Sequence, residues 1–454
     1  MRFLLTFFCA VMALAAAPLH AQSQPPPLAA SMDARWKGAA FEGDRASLAR
    51  LAAAGAKVVR VYRQSDAWVL DEAHRLGLKV VMGLWLEHPR HGFDYADARA
   101  MRAQEDALLD FVARHRKHPA LLAWGVGNEI ETGVADPLPL WRAVDRLAAR
   151  IRALDPDHPT MMVVADTGMD AFRALAGCCP NVELLGINVY AGAVFDLPQR
   201  LRAAGIAKPV VVAELGPLGQ WQAGRKPWGA PVELTSTEKA RFFTEALAFL
   251  DQQAQIRGVF PFLWGAKQEQ TATWHGLLLA DGSPTAMSDA LAAAWGRPQP
   301  RPAPRIRGIG IGADEFAAGA EISAGIDAVA HDGSALAAEW AVHAEATDLR
   351  KGGDAETPPT RIDVRVLHAD AASVSFVAPA QPGAYRLFIT VRDREGKAGT
   401  ANLPFRVRYT RPRPQQRRLP RACGSRTFVP PPPVGARCPP RAFLPAWSAA
   451  PPRG

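Results

Sequence analysis

The chain has 454 residues, 48% of them apolar and 21% charged, a balance that excludes a disordered or fibrous polymer and suits two or three packed domains. The net charge is +9, yet nine arginines and no acidic residue fall between 409 and 454, and without them basic and acidic residues are equal at 44 each. The folded part is therefore close to neutral, which gives no support to a basic face for nucleic acid.

Residues 1–21 read as an export signal. Arg2 is the short positive region, "FLLTFFCAVMALAAA" the apolar core, and Ala21 the small residue at the cleavage site. The apolar run is too short to span a bilayer comfortably and is closed by Pro18 and His20. The expectation is a periplasmic or extracellular protein with no stable membrane insertion after cleavage. Cys9 leaves with the signal. The remaining cysteines, Cys178, Cys179, Cys423 and Cys438, have neither the density of a disulfide framework nor metal-ligand spacing.

From 33 to 296 short apolar runs alternate with amphipathic stretches. "ARWKGAAF" (34–41) is a weak first strand. "KVVRVYR" (57–63) is a second, and the helical stretch after it stops at Gly77. Further strands are expected at 78–87, in "ALLAWGVGN", and at 160–166, 183–190, 208–215 and 258–265. Helices are expected over 98–119, ended by Pro119, over 138–159 and over 236–255. The strands are continuous Val/Ile/Leu runs, as in a parallel sheet buried on both faces. Eight such units in about 250 residues predict a (β/α)₈ barrel. The alternative, a doubly wound open sheet, lacks a Gly-rich phosphate loop after its first strand.

A Pro/Arg linker, 297–305, leads into short alternating strands, in which Tyr385, Leu387, Ile389 and Val391 point one way. Residues 306–408 are expected to form a small immunoglobulin-like β-sandwich. The tail, 409–454, is rich in Pro and Arg and has too little packable surface to fold.

In such a barrel chemistry sits at the C-terminal strand ends. Those ends carry Arg60 and Tyr62, then Trp85 and His88, Asn128 and Glu129, Asp166, Asn188 and Tyr190, Glu214, and Trp264. Glu129 and Glu214 each close an apolar run, and the ends of the fourth and seventh strands face one another across a barrel mouth. Two carboxylates across a cleft are the equipment for glycoside hydrolysis. Burial and a charged neighbour keep one of them protonated. Arg60 and Tyr190 are placed to hold the other ionised, and Trp264 offers an apolar face to a sugar ring. Trp85 and His88 are further candidates for substrate contact. Two carboxylates suffice, so no metal or organic cofactor is implied.

"RHRKHPALLAWGVGNE" (114–129) resembles the fourth-strand segment of glycoside hydrolase family 2, and "IRALDPDHPTMMV" (151–163) resembles the segment leading into the fifth strand of that family. "GINVY", "KPVVVAELG" and "FLWG" are similar to strands six to eight of the same clan of retaining barrels. "VVRVY" and "NVY" are also similar to families 5 and 72. The resemblance covers roughly 55–296. It implies that Glu129 is the acid/base, that Asn128 binds the sugar 2-hydroxyl, and that Glu214 is the nucleophile. It also implies that Tyr190 contacts the nucleophile and that Trp264 floors the subsite for the cleaved sugar. Leu215 departs from the pattern, which often has an aromatic residue there. The expected activity is hydrolysis of a β-linked oligo- or polysaccharide, a β-glucan or a related glycan. Transglycosylation on the same site, or noncatalytic glycan binding at the cell envelope, are the alternatives.

Overall fold

In a computed structural model the described residues are 35–409. The export signal, the tail beyond 409, and Cys9, Cys423 and Cys438 lie outside them.

Eight strands close a parallel barrel in sequence order. They are β1 (Trp36–Ala40), β2 (Val58–Arg60), β3 (Lys79–Leu84), β4 (Leu121–Val126), β5 (Thr160–Ala165), β6 (Leu184–Tyr190), β7 (Val210–Gly216) and β8 (Ile256–Pro261). The weak first strand is real: β1 pairs with both β2 and β8 and so closes the ring. Around it lie α1 (Arg45–Ala53), α2 (Trp68–Arg75), α3 (Ala98–His115), α4 (Leu138–Leu154), α5 (Met169–Ala176), α6 (Ala193–Ala203), α7 (Ser236–Asp251) and α8 (Ala286–Ala294). The helices run a few residues shorter than their patterns suggest, because last turns end on local caps. α7 starts where the sequence says it should, at a reciprocal cap between Thr235 and Glu238.

The strands are apolar on both faces because each face meets a different core. Val59, Val80, Trp124, Val164, Ile187 and Val212 pack outward under the helices. Val58, Val81, Ala123, Val163, Ala213 and Phe260 fill the barrel interior. The two-residue period of a strand assigns alternate positions to each.

Beyond α8, two sheets enclose a separate core that includes Phe376, Leu387, Ile389 and Phe405. One sheet has the order β10 (Glu315–Ala317), β17 (Ala398–Arg408), β16 (Gly383–Arg392), β12 (Ala337–Ala344), β13 (Arg361–Ile362). The other has β14 (Val366–Ala369), β15 (Ser373–Val377), β11 (Glu321–Val329), β9 (Arg305–Ile311). The pairings are antiparallel except β10 with β17. Tyr385, Leu387, Ile389 and Val391 all face this core.

The connecting residues, expected as a spacer, are held down. Ala303 is buried, its N–H donates to Asp289 at 2.6 Å, and Lys397 bridges Asp289 and the Arg301 carbonyl at 2.9 and 2.6 Å. A buried polar cluster fastens the β domain to the barrel. Lys239 on α7 pairs with Glu233 at 2.6 Å, and Asn402 on β17 donates to the same carboxylate at 2.6 Å. Arg386 on β16 holds Asn402 at 2.6 Å, Glu345 at 2.7 Å and the Pro231 carbonyl at 2.9 Å. Among the described residues no helix is long and apolar enough to cross a membrane.

Candidate active site

The end of β4 turns sharply. Gly127 has φ 70° and Glu129 φ 49°, the left-handed region that costs an ordinary residue about 1–2 kcal/mol. Gly127 needs that freedom, while Glu129 is held in it by its N–H bond to the Val163 carbonyl, 3.0 Å. Strain of this kind concentrates at working sites. Here it turns the Asn128 and Glu129 side chains back over the barrel mouth, where both line the cleft.

β7 aims Glu214 by a bulge. Opposite β6, Ile187 pairs with Val212 and Asn188 with Glu214, so Ala213 is the extra residue. Ala213 and Glu214 consequently both face inward, and Leu215 returns to the outer core. Gly216 comes next because a Cβ there would lie 2.2 Å from the Tyr190 ring.

Glu214 is held by three donors. Tyr62 Oη reaches Oε1 at 2.8 Å, Tyr190 Oη reaches Oε2 at 2.8 Å, and Arg60 Nη1 stands 3.3 Å from Oε1. Arg60 is buried and also bonds the Ala213 carbonyl at 2.7 Å and Asn128 Oδ1 at 2.7 Å, tying strand two to strands four and seven. Burial, with the carboxylate beside them, pushes the hydroxyls of Tyr62 and Tyr190 well above their ordinary range, so both remain donors. An ion pair plus two O–H donors fixes the orientation of the carboxylate.

Glu129 sits in the opposite condition. Among the described residues its side chain has a single hydrogen-bond partner, Asn188 Nδ2, 2.8 Å from Oε1. Burial, then the charge of Glu214, raises its carboxyl to about 8. One mouth therefore holds Glu214, fixed by three donors, and Glu129, whose carboxyl its surroundings push upward.

The remaining candidates divide. Trp85 lines the cleft and carries the Arg63 guanidinium 4.4 Å from its ring centre. His88 does not line it. The ring lies buried behind Trp85, centroids 4.9 Å apart, and burial and Arg90 lower it to about 3, so it is neutral. Trp264 does not reach the cleft either. The strand alternation breaks after Phe262: Leu263 joins the interior, and Trp264 turns outward to pack near Trp295 and bond the Ser47 carbonyl at 2.9 Å. Phe262 lines the cleft in its stead.

Asp166, also at a strand end, lines the cleft but is neutralised by a two-bond pair with Arg200, 2.7 and 2.6 Å. Cys178 and Cys179 form a disulfide between α5 and β6, on the face of the barrel away from the mouth. Tyr62 and Asn188 are site residues to which the sequence alone assigns no role. The signal for them is spacing, since Tyr62 stands two residues from Arg60, and Asn188 two from Tyr190, on the same strand faces. Among the described residues no cluster has the makings of a metal site.

The cleft is large, about 1460 Å³. Barrel and site together define a (β/α)₈ fold with paired glutamates at strands four and seven. No family model matches the chain. Over 107 residues, 21% of the chain, it is 33% identical to a curated beta-glucuronidase of Paenibacillus borealis, of which the match covers 17%. Among solved structures it is similar to a beta-D-glucuronidase of Dictyoglomus thermophilum, with 17% identity and a TM-score of 0.45 over 58% of this chain and 51% of that one. It is similar to a Faecalibacterium prausnitzii beta-glucuronidase at 19% identity and TM-score 0.44, over 58% and 49%. A GH2 beta-galacturonidase of Eisenbergiella tayi gives 17% identity and TM-score 0.44, over 58% and 51%. The chain thus spans about half the length of these solved structures. The closed barrel rests on this chain's own strand pairing.

Proposed function

We propose that this protein is an exported retaining β-glycosidase that cleaves O-glycosyl bonds of a β-linked glycan by double displacement. The observation that carries this is the division of labour between Glu214, clamped by Arg60, Tyr62 and Tyr190, and Glu129, raised to about 8. Glu214 attacks the anomeric carbon while Glu129 gives its proton to the leaving oxygen, so the glycosidic bond breaks as the glycosyl–enzyme ester forms. Glu129, now a carboxylate, takes a proton from water, which displaces Glu214. Asn128, held by Arg60, is placed to bond a sugar hydroxyl beside the anomeric carbon. Phe262 and Trp85 give apolar surface for ring faces.

The curated relative's name brings β-glucuronides into consideration beside β-glucosides. A panel of aryl β-glucosides, β-galactosides and β-glucuronides, with β-1,3-, β-1,4- and β-1,6-glucans, tests the proposal. Wild type should turn over at least one of them, and Glu214→Gln should lose about 10² or more of that rate while keeping its fold. Full activity in Glu214→Gln would overturn the assignment.

A further inference from the structure

The cleft is not built by the barrel alone. The loop between β12 and β13, residues 345–360, leaves the β domain and runs along the barrel mouth, where Leu349 to Glu356 line the same cavity as Glu129 and Glu214. Barrel groups fix it there. Arg90, beyond β3, pairs with Asp354 at 2.9 Å, and His91 reaches the same carboxylate at 2.8 Å. Lys267 donates to the Gly353 carbonyl at 2.8 Å, and the Gln270 N–H donates to buried Glu356 at 2.6 Å. Both walls of the barrel, from β3 and from β8, thus anchor one loop of the other domain.

The anchored base and the free tip differ in character. Asp354 and Glu356 point at the barrel and are satisfied. Leu349 is 54% exposed, and Lys351, exposed as well, has no hydrogen-bond or ionic partner among the described residues. A loop serving only to glue two domains has no use for an apolar side chain and an unpaired ammonium left standing in a cavity. Trp221, 53% exposed, lines the same cavity and packs edge-on against Tyr190 at 5.1 Å. The cavity also exceeds the ~300–1,000 Å³ that suffices for a small ligand. Apolar faces and a donor, set beyond a paired-glutamate floor, suit the C–H faces and hydroxyls of further sugar units.

We propose that the 345–360 loop is a substrate-binding wall, with Leu349 and Lys351 touching sugar units of a β-linked oligosaccharide beyond the one held at Glu129 and Glu214. The wall makes the β domain part of the site and sets the preference for chain over single glycoside. It rests on the glycosidase reading for its substrate class, so the test is one of binding in the full-length Glu214→Gln protein, where turnover is not needed. Tryptophan fluorescence would follow titration with β-1,3-, β-1,4- and β-1,6-linked gluco-hexasaccharides, a hyaluronan hexasaccharide, and the matching aryl monoglycosides. The parent should bind one hexasaccharide more tightly than its monoglycoside, and Leu349→Ala/Lys351→Ala should reduce that ratio of affinities about tenfold. The melting temperature should stay within about 2 °C. An unchanged ratio, an equal weakening of both ligands, or a parent that binds no hexasaccharide better than its monoglycoside would overturn the wall. A wild type silent on every substrate but showing the expected ratio would instead sink the hydrolase reading and leave the wall standing.

Discussion

Glu129 carries two linked consequences of its surroundings. Its folded carboxyl, raised to about 8 from an ordinary 4.5, keeps a proton that the unfolded chain gives up. Between those values the native state binds more protons, so this group's contribution to stability falls as pH rises and its full penalty is present above about 8. The proposed double displacement needs the same proton, so the rate should fall as pH rises through about 8. Glu129→Gln should abolish that limb, cost about 10²–10⁴ in rate, and raise the melting temperature at about pH 9 more than at about pH 4. An alkaline limb that survives the substitution would contradict the assignment of the acid. The two glutamates were legible in the sequence because a carboxylate ending a buried strand is chemically expensive and therefore conspicuous. Tyr62 and Asn188 were not, because a tyrosine or asparagine at a strand end gains its meaning from a partner across the barrel.

The elements were legible to the extent that a regular period held. Eight parallel strands and their order emerge from continuous apolar runs alternating with amphipathic helices, and even the faint β1 finds its place because the ring needs an eighth member. Reading failed where the period breaks. Counting by twos from Phe260 puts Trp264 inside, but both Phe262 and Leu263 belong to the interior, and Trp264 falls to the outer core. The bulge at Ala213 has the reverse effect: it brings Glu214 inward where plain alternation would turn it away. Trp264→Ala should therefore destabilise by about 3–5 kcal/mol while leaving KM within about twofold. Phe262→Ala should change KM and cost less stability. Denaturant midpoints beside steady-state kinetics separate these, and a KM effect at Trp264 without loss of stability would contradict the placement.

At the scale of the molecule, the two folded parts are fastened by charge rather than by a linker. Buried Arg386, Asn402, Glu233 and Lys239, with half-buried Glu345, form a polar set spanning β16, β17 and α7, and Gln270 of the cleft rim joins it through Glu345 at 3.1 Å. Removing Arg386 leaves the Asn402 carboxamide oxygen without its guanidinium partner and takes the cation away from Glu345. Arg386→Ala should cost about 3–5 kcal/mol, read as a lower midpoint of unfolding. A loss below about 1 kcal/mol would show that the set contributes little. The sequence marks a domain change at the Pro/Arg stretch but gives no sign of this docking, since its residues come from distant segments, each unremarkable alone. The 345–360 loop was hidden for the same reason.

In the proposed double displacement Glu214 becomes covalently bound to sugar. An activated 2-deoxy-2-fluoro-β-glycoside of whichever sugar the substrate panel identifies, combined with peptide mass analysis, measures it directly. The prediction is one glycosyl label per chain, carried by the peptide containing Glu214 and absent from Glu214→Gln. A label on another residue, or steady turnover of the natural substrate with no label trapped, would rule out Glu214 as the nucleophile.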